Sequence, residues 1–304
     1  MKDCPPDKIL NPSTNRCVLK TGAIGKKLLM MMETRKPKKP QKTKKIMVLR
    51  NGIDLKKLDW KYLSGNPNAI KLLEENPEKI DWVYFSENPN GIAFMRKNLD
   101  KINWVRLAKN PNPEAIELFK ENEDKFELYW HYLSKNPNAF DLLMEKKKFL
   151  WHKLSRNPNA IKLLEANPDK IDWRSLSKNP KAIKLLTKNQ DKIYWSKLSK
   201  NPNAIRLLEA NQDKIDWRSL SGNPNAIELL EKNMKKINWE ELSLNPNAIP
   251  LLQKHKRLIK WWRLCQNPNA IDLLLSNKTK IRWDWISKNP AIFEEVEVKE
   301  DAKK

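Results

Sequence analysis

Residues 195–216 read WSKLSKNPNAIRLLEANQDKID, and the same phrase recurs along most of the chain. In outline it is W-x-x-L-S-x-N-P-N-A-I-x-L-L-E-x-N-x-x-K-I-D, and each copy is headed by a tryptophan. The eleven are Trp60, Trp82, Trp104, Trp130, Trp151, Trp173, Trp195, Trp217, Trp239, Trp261 and Trp283. The step between them is 22 residues except near Pro113-Glu114 and Leu128, where one copy lengthens to 26 and the next shortens to 21. A phrase repeated this often builds a quasi-one-dimensional array in which each unit packs on its neighbours.

Within the quoted copy, Asn201 stands before Pro202, and a residue before proline is pushed out of the helical region, so a helix arriving near Ser199 must stop. Asn201 then suits an N-cap and Pro202 the first helical turn, after which Ala204, Ile205, Leu207 and Leu208 recur at helical spacing. This second helix closes near Asn211, and asparagine in the left-handed conformation can stand in for glycine in a chain with 6 glycines against 20 prolines. In Asn76-Pro77 and Asn167-Pro168 the next helix also starts on Asn-Pro. The reading is two helices of about nine residues per unit, each marginal alone and held by its neighbours. Ile215, Trp217 and Leu220 pack with Ala226, Ile227, Leu229 and Leu230.

The fold class predicted is therefore all-α, an α-solenoid of about eleven two-helix repeats preceded by a small cysteine-containing arm. With neighbouring helices roughly 8–10 Å apart, the stack should form a rod or superhelix on the order of 100 Å long. Residues 46–59 read as a degraded first unit and the last copy, Trp283 to Phe293, as a final one, each capping an exposed end. The domains expected are an arm at 1–32, a linker at 33–45, the solenoid at 46–293 and a charged tail at 294–304. The 26-residue copy predicts a bend or a binding feature.

The net charge is +23, and residues 1–59 hold 16 Lys or Arg against 5 Asp or Glu, which is +11 and leaves +12 for the rest. Most of that excess sits in ETRKPKKPQKTKK at 33–45, with Arg35, Lys36, Lys38, Lys39, Lys42, Lys44 and Lys45 beside Pro37 and Pro40. Such a composition reads as a flexible basic linker that attracts nucleic acid, an anionic membrane or an acidic protein, or that merely spaces two modules. A second basic feature is a lysine three residues before nine of the tryptophans: Lys57, Lys79, Lys101, Lys148, Lys170, Lys192, Lys214, Lys236 and Lys280. This column could follow a phosphate backbone, or form a mixed-charge ridge with the neighbouring carboxylates. The tryptophan column could stack bases, but two after an isoleucine and three before a leucine it should fill the core of the stack. The asparagines of the NPNA turns suit a hydrogen-bond ladder between units.

No stretch approaches a membrane span and nothing reads as a signal peptide, so a soluble protein, intracellular when made, is expected. Phosphate-loop, dinucleotide, nucleophile-elbow and zinc-protease motifs are missing from the sequence. His131, His152 and His255 fall at unrelated repeat positions without ligand spacing, and Glu74, Glu165, Glu209 and Glu231 share one repeat position, which points to repeated ion pairs. No enzyme activity, cofactor or metal is expected. The variable pairs after tryptophan, among them Lys61-Tyr62, Arg174-Ser175 and Glu240-Glu241, show no small alphabet of the kind a one-base-per-repeat code needs.

Residues 4–29, CPPDKILNPSTNRCVLKTGAIGKKLL, belong to a different pattern. Two cysteines alone cannot make a tetrahedral zinc site, so Cys4 and Cys17 are read as a disulfide or as two buried thiols, and Cys265, at a serine position of the array, as inert. Cys4, Pro5, Lys8, Asn11, Pro12, Thr14, Arg16 and Cys17, with Gly22, Gly25, Lys26 and Lys27 behind them, resemble the two-cysteine adaptor domain of large nucleocytoplasmic DNA viruses. The NPNAI-type array also resembles helical repeats in proteins of such viruses. The adaptor is thought to attach kinases or peptidases to targets, and this chain couples it to a solenoid instead, so attachment is what the resemblance implies. Such viruses often carry thiol oxidases, which would allow the disulfide in cytoplasm.

The resemblance thus implies a viral scaffold made in the host cytoplasm and carried in the virion. It would be a minor capsid or internal structural protein whose partners are capsid subunits or other virion proteins. Alternatives are a nucleic-acid tether acting through the linker and through Lys79, Lys101, Lys170, Lys192, Lys214 and Lys236, or a solenoid aimed at a host protein.

Overall fold

The computed structural model describes residues 4–34 and 43–299, which divide into two compact bodies. The smaller takes in the chain up to Ile46 and from Val296 onward; the larger, Met47–Glu295, holds the repeats. In the smaller body β1 (Lys8–Asn11) pairs antiparallel with β2 (Arg16–Leu19), with Lys8 opposite Leu19 and Asn11 opposite Arg16. Asn15 turns this hairpin at φ 53°, in the left-handed region that asparagine tolerates. Cys4 and Cys17 are joined as a disulfide across a Cα separation of 5.7 Å. Helix α1 (Ala23–Thr34) follows, and a β-carbon on Gly25 would lie 2.0 Å from the Leu19 carbonyl oxygen, so only glycine fits there.

The larger body is an all-α solenoid of eleven repeats whose units are tighter than the sequence suggests. In the quoted copy the first helix is only Trp195–Leu198. A 3-10 turn, Pro202–Ala204, leads into the second helix, Ile205–Glu209, and another 3-10 turn, Gln212–Lys214, follows. The expected nine-residue first helix fails because Ile215 is extended at φ −67° and ψ 127° and Asp216 is an N-cap, its carboxylate accepting from the Ser219 amide. The expected left-handed asparagine is also corrected. Asn211 sits at φ −138° and ψ 53° and ends the helix with its side chain, donating Nδ2–H to the Leu207 carbonyl 3.0 Å away. Asn201 does cap the Pro202 turn, accepting from the Asn203 amide.

Neighbouring repeats are tied by three recurring sets of bonds, the second interrupted where Lys181 and Ala291 replace asparagine and the third where Ala108 replaces serine. The side chain of Asn223 is buried and donates to the carbonyls of Ser199, at 3.1 Å, and Asn201, at 2.9 Å. The side chain of Asn225 donates to the Pro202 carbonyl. The Ser199 hydroxyl donates within its own helix to the Trp195 carbonyl and accepts the amide of Asp216, the last residue of the repeat and the N-cap of the next first helix. Buried leucines, isoleucines and alanines form one core from Leu58 to Phe293.

These bonds do not stop at the last repeat, and the expected open rod with capped ends is overturned. Asn66, in the first repeat, donates to the carbonyls of Ser287 and Asn289 in the eleventh, at 3.1 and 2.9 Å. Asn68 donates to the Pro290 carbonyl, and the Asp59 amide to the Ser287 hydroxyl at 2.8 Å. The array is a closed ring.

Nor are the two ends caps. The eleventh repeat is assembled from both: Trp283–Ile286 and Pro290–Ile292 supply its beginning, and the 3-10 turn Leu55–Lys57 with extended Leu58 and capping Asp59 supplies its end. Leu58 is buried where most other repeats place isoleucine. In place of a second helix, β4 (Phe293–Lys299) pairs with β3 (Thr43–Leu49) in a two-stranded sheet. Arg50 locks this seam, with its amide on the Ile292 carbonyl, Nε–H on the Ala291 carbonyl, and an ion pair to Glu294 at 3.2 Å.

The 26-residue repeat has a local cause. Ala108 stands where nine repeats have serine and one has Cys265, so the relay group is missing; the end of this repeat presents no amide to it but runs into the next first helix as one continuous helix, Glu123–Leu133, with its amides satisfied internally. Ion pairs from Glu123 to Lys146 and from Glu127 to Lys148 fasten that helix, and Lys147 turns the chain at φ 53°.

Candidate functional site: the exposed face of the first helices

Ladder asparagines, relay serines and core aliphatics are consumed inside the ring, which leaves the variable positions for contact with anything else. On the first helices these are the residues one, two and five places after tryptophan. Side chains two places after tryptophan meet between neighbouring repeats at Trp285 and Tyr62, Tyr62 and Tyr84, Tyr132 and Lys153, and Glu241 and Arg263, so the positions share one face, which has two distinct arcs.

One arc is aromatic and crosses the seam. Trp262 and Trp285 have ring centroids 5.8 Å apart, Trp285 stacks on Tyr62 at 6.1 Å, and Tyr62 meets Tyr84 edge-on at 5.4 Å. Lys61 and Arg263 lie against these rings, the guanidinium 4.3 Å from the Trp262 centroid. All four rings are half-buried, and Val83 beside them is exposed.

The other arc is basic. Five places after tryptophan stand Lys135, Arg156, Lys178 and Lys200, and beside them Lys153, Arg174 and Lys197. Those positions hold no acid in the four repeats, and among the described residues none of the seven forms an ion pair with a carboxylate. Carboxylates bound the arc at its ends, where Glu87 pairs with Arg106 at 2.9 Å and Lys109 at 3.9 Å, Glu241 with Arg218 at 3.9 Å, and Glu240 with Arg263 at 2.8 Å. Asp172, close by, is occupied as an N-cap on the Ser175 amide. Burial, then the charges of Lys109, Arg156 and Lys153, hold the Lys135 ammonium below its ordinary pKa. Burial, then Arg156, Lys197, Lys200 and Arg174, do the same to Lys178. A cleft of about 340 Å³ opens between Lys109, Lys135 and Arg156 beside the NPN turns.

The lysine column before the tryptophans lies elsewhere and has another occupation. Lys79, Lys101, Lys192, Lys214 and Lys236 each sit over the indole that heads their own repeat, at 4.6, 5.5, 4.9, 4.9 and 4.5 Å from the ring centroid. Lys57 does the same across the seam, 5.3 Å from Trp283. Lys170 instead pairs with Asp169. Of the tryptophans only Trp104 is buried; the other ten are half-buried at the edge of the core, and the lysines cover six of them. Lys44 and Lys45 are exposed in β3, and Arg35, Lys36, Lys38, Lys39 and Lys42 lie outside the described residues.

No family model, curated protein or solved structure matches the chain. Among the described residues there is no helix long and apolar enough to cross a membrane and no group of three His, Cys, Asp or Glu placed to hold a metal ion. Cys265 takes the relay-serine position, its buried sulfur accepting the Arg282 amide at 3.3 Å, and burial pushes its thiol pKa up. Sequence reasoning passed over both the relay serines and the basic arc. The serines were legible as a column, but the arc combines positions that look unrelated until the first helices are set side by side.

Proposed function

We propose that the chain is a non-enzymatic scaffold that holds other proteins, in the setting its viral resemblance implies a structural component of the particle made in host cytoplasm. The observation that carries this is the division of labour within each repeat. The recurring residues hold ring and core together, and the varied ones of the first helices are displayed on one face. A closed array has no free ends to fray, so this face is presented with little conformational freedom to lose on binding. The aromatic arc supplies anchors of the kind that dominate protein interfaces, with Tyr62, Tyr84, Trp262 and Trp285 adjoining.

A protein inventory of purified particles tests the reading. The chain should be present at a copy number comparable to other structural proteins. Tyr84→Ala with Trp262→Ala should release it from the particle while leaving its melting cooperative. Absence of the chain from particles would overturn the proposal.

A further inference from the structure

The basic arc is a second, separate surface, and its chemistry differs from that of the aromatic arc. We propose that it binds the phosphate backbone of a nucleic acid, without reading its sequence, across the four repeats headed by Trp130, Trp151, Trp173 and Trp195.

Three observations point to a polyanion of regular charge. The cations recur once or twice in every repeat at fixed positions, so they form a row with a regular step. They are uncompensated, with no carboxylate in ion-pair range, in a ring where Glu87, Glu240 and Glu241 do pair with the basic residues bounding the arc. And they stand close enough that Lys135 and Lys178 feel the charges of their neighbours in adjacent repeats, a repulsion that a bound row of phosphates relieves.

The same positions argue against the other polyanions. Between the cations lie Ser175 and Ser196, and the single large ring on the arc, Tyr132, is half-buried with Lys153 and His131 packed against it, so an acidic protein finds charge there but no cluster of anchors. An anionic membrane finds nothing to insert. A nucleic acid needs neither, because its affinity comes from neutralised phosphates. The lysine column before the tryptophans does not serve this role, since its ammonium groups are spread over indole faces.

The test uses the full chain and a fluorescent single-stranded DNA of about 30 nucleotides, with affinity followed against salt, where each neutralised phosphate adds about 0.7 to the slope. The charge-reversal set Arg156→Glu, Lys178→Glu and Lys200→Glu is compared with Lys162→Glu, Lys184→Glu and Lys188→Glu, exposed on second helices. Both sets change the net charge equally and leave the linker at 33–45 untouched, so general attraction and the linker's share cancel. The arc set should weaken binding at least about 10-fold and flatten the salt slope by about 2, whereas the second-helix set should change affinity by less than about threefold.

Should charge reversal prevent folding, Gln at the same three arc positions removes the same three contacts and should give the same ordering with a slope change of about 2. Equal losses from both sets, or no DNA binding near physiological salt, would overturn the proposal. So would poly-glutamate binding that depends on the three arc residues while DNA binding does not. No particle protein enters the assay, so this proposal fails or stands separately from the scaffold reading.

Discussion

The junction between the eleventh and first repeats differs from an interior junction, such as that between the repeats of Trp195 and Trp217, chiefly in chain connectivity. Inside the array the chain runs from one repeat into the next. At the seam it does not, and one repeat is built from the two ends. Yet Asn66 repeats the bonds of Asn223, Asp59 repeats those of Asp216, and Lys57 covers Trp283 as Lys214 covers Trp195. The repeat's geometry is thus set by its side-chain bonds and core rather than by chain connectivity. What the seam adds is a fastening absent from other junctions, β3 with β4 and Arg50 on Ala291, Ile292 and Glu294.

The largest effect is expected from changing the number of repeats. Deleting residues 195–216 leaves every remaining interior junction intact in sequence but asks ten units to span a turn shaped for eleven. The seam should open, losing several bonds of about 1 kcal/mol each, or about 3–6 kcal/mol in all. Calorimetry should show a broadened, lowered transition, and light scattering should show association through the opened ends.

Next come single ladder asparagines. Asn223→Ala strands the Ser199 carbonyl and Asn66→Ala the Ser287 carbonyl, while the Asn201 and Asn289 carbonyls keep the Ala204 and Ile292 amides, so each variant should cost about 1–3 kcal/mol by denaturant unfolding. The two variants should part company in limited proteolysis. Loss of Asn66 should speed cleavage near residues 50–55, whereas loss of Asn223 should lower stability without a preferred site. Identical digestion patterns would mean that the seam is no weaker than an interior junction.

Trp104→Ala should cost about 3–5 kcal/mol, as expected for a buried indole, and Trp195→Ala distinctly less, because its ring lies half-buried under Lys214. The smallest effects are expected from the lysines themselves. Lys57→Met at the seam and Lys214→Met inside should each lower stability by about 0.5–1 kcal/mol, and by similar amounts if the two junctions are equivalent.

Much of the repeat was legible in the sequence. The Asn-Pro break, the capping role of Asn201, the aliphatic core and the inter-repeat asparagine ladder follow from local chemistry at fixed spacing. The first helix is shorter than the sequence suggests because nothing local shows that the Asp216 amide finds Ser199, seventeen residues back. Asn211 was assigned a left-handed conformation because its side-chain bond to Leu207 offers an alternative that residue preference does not reveal. The face was the least legible. Lys135, Arg156, Lys178 and Lys200 share one repeat position, but that they are uncompensated became clear only once the carboxylates nearby were placed.

The sequence by itself determined that this protein is an array of mutually supporting short helices, because a recurring pattern of proline, asparagine and apolar spacing dictates the unit wherever it occurs. Only the tertiary structure decided that the array closes. The rotation between neighbours depends on small differences in packing at each junction, and these must add over eleven repeats before the last can meet the first.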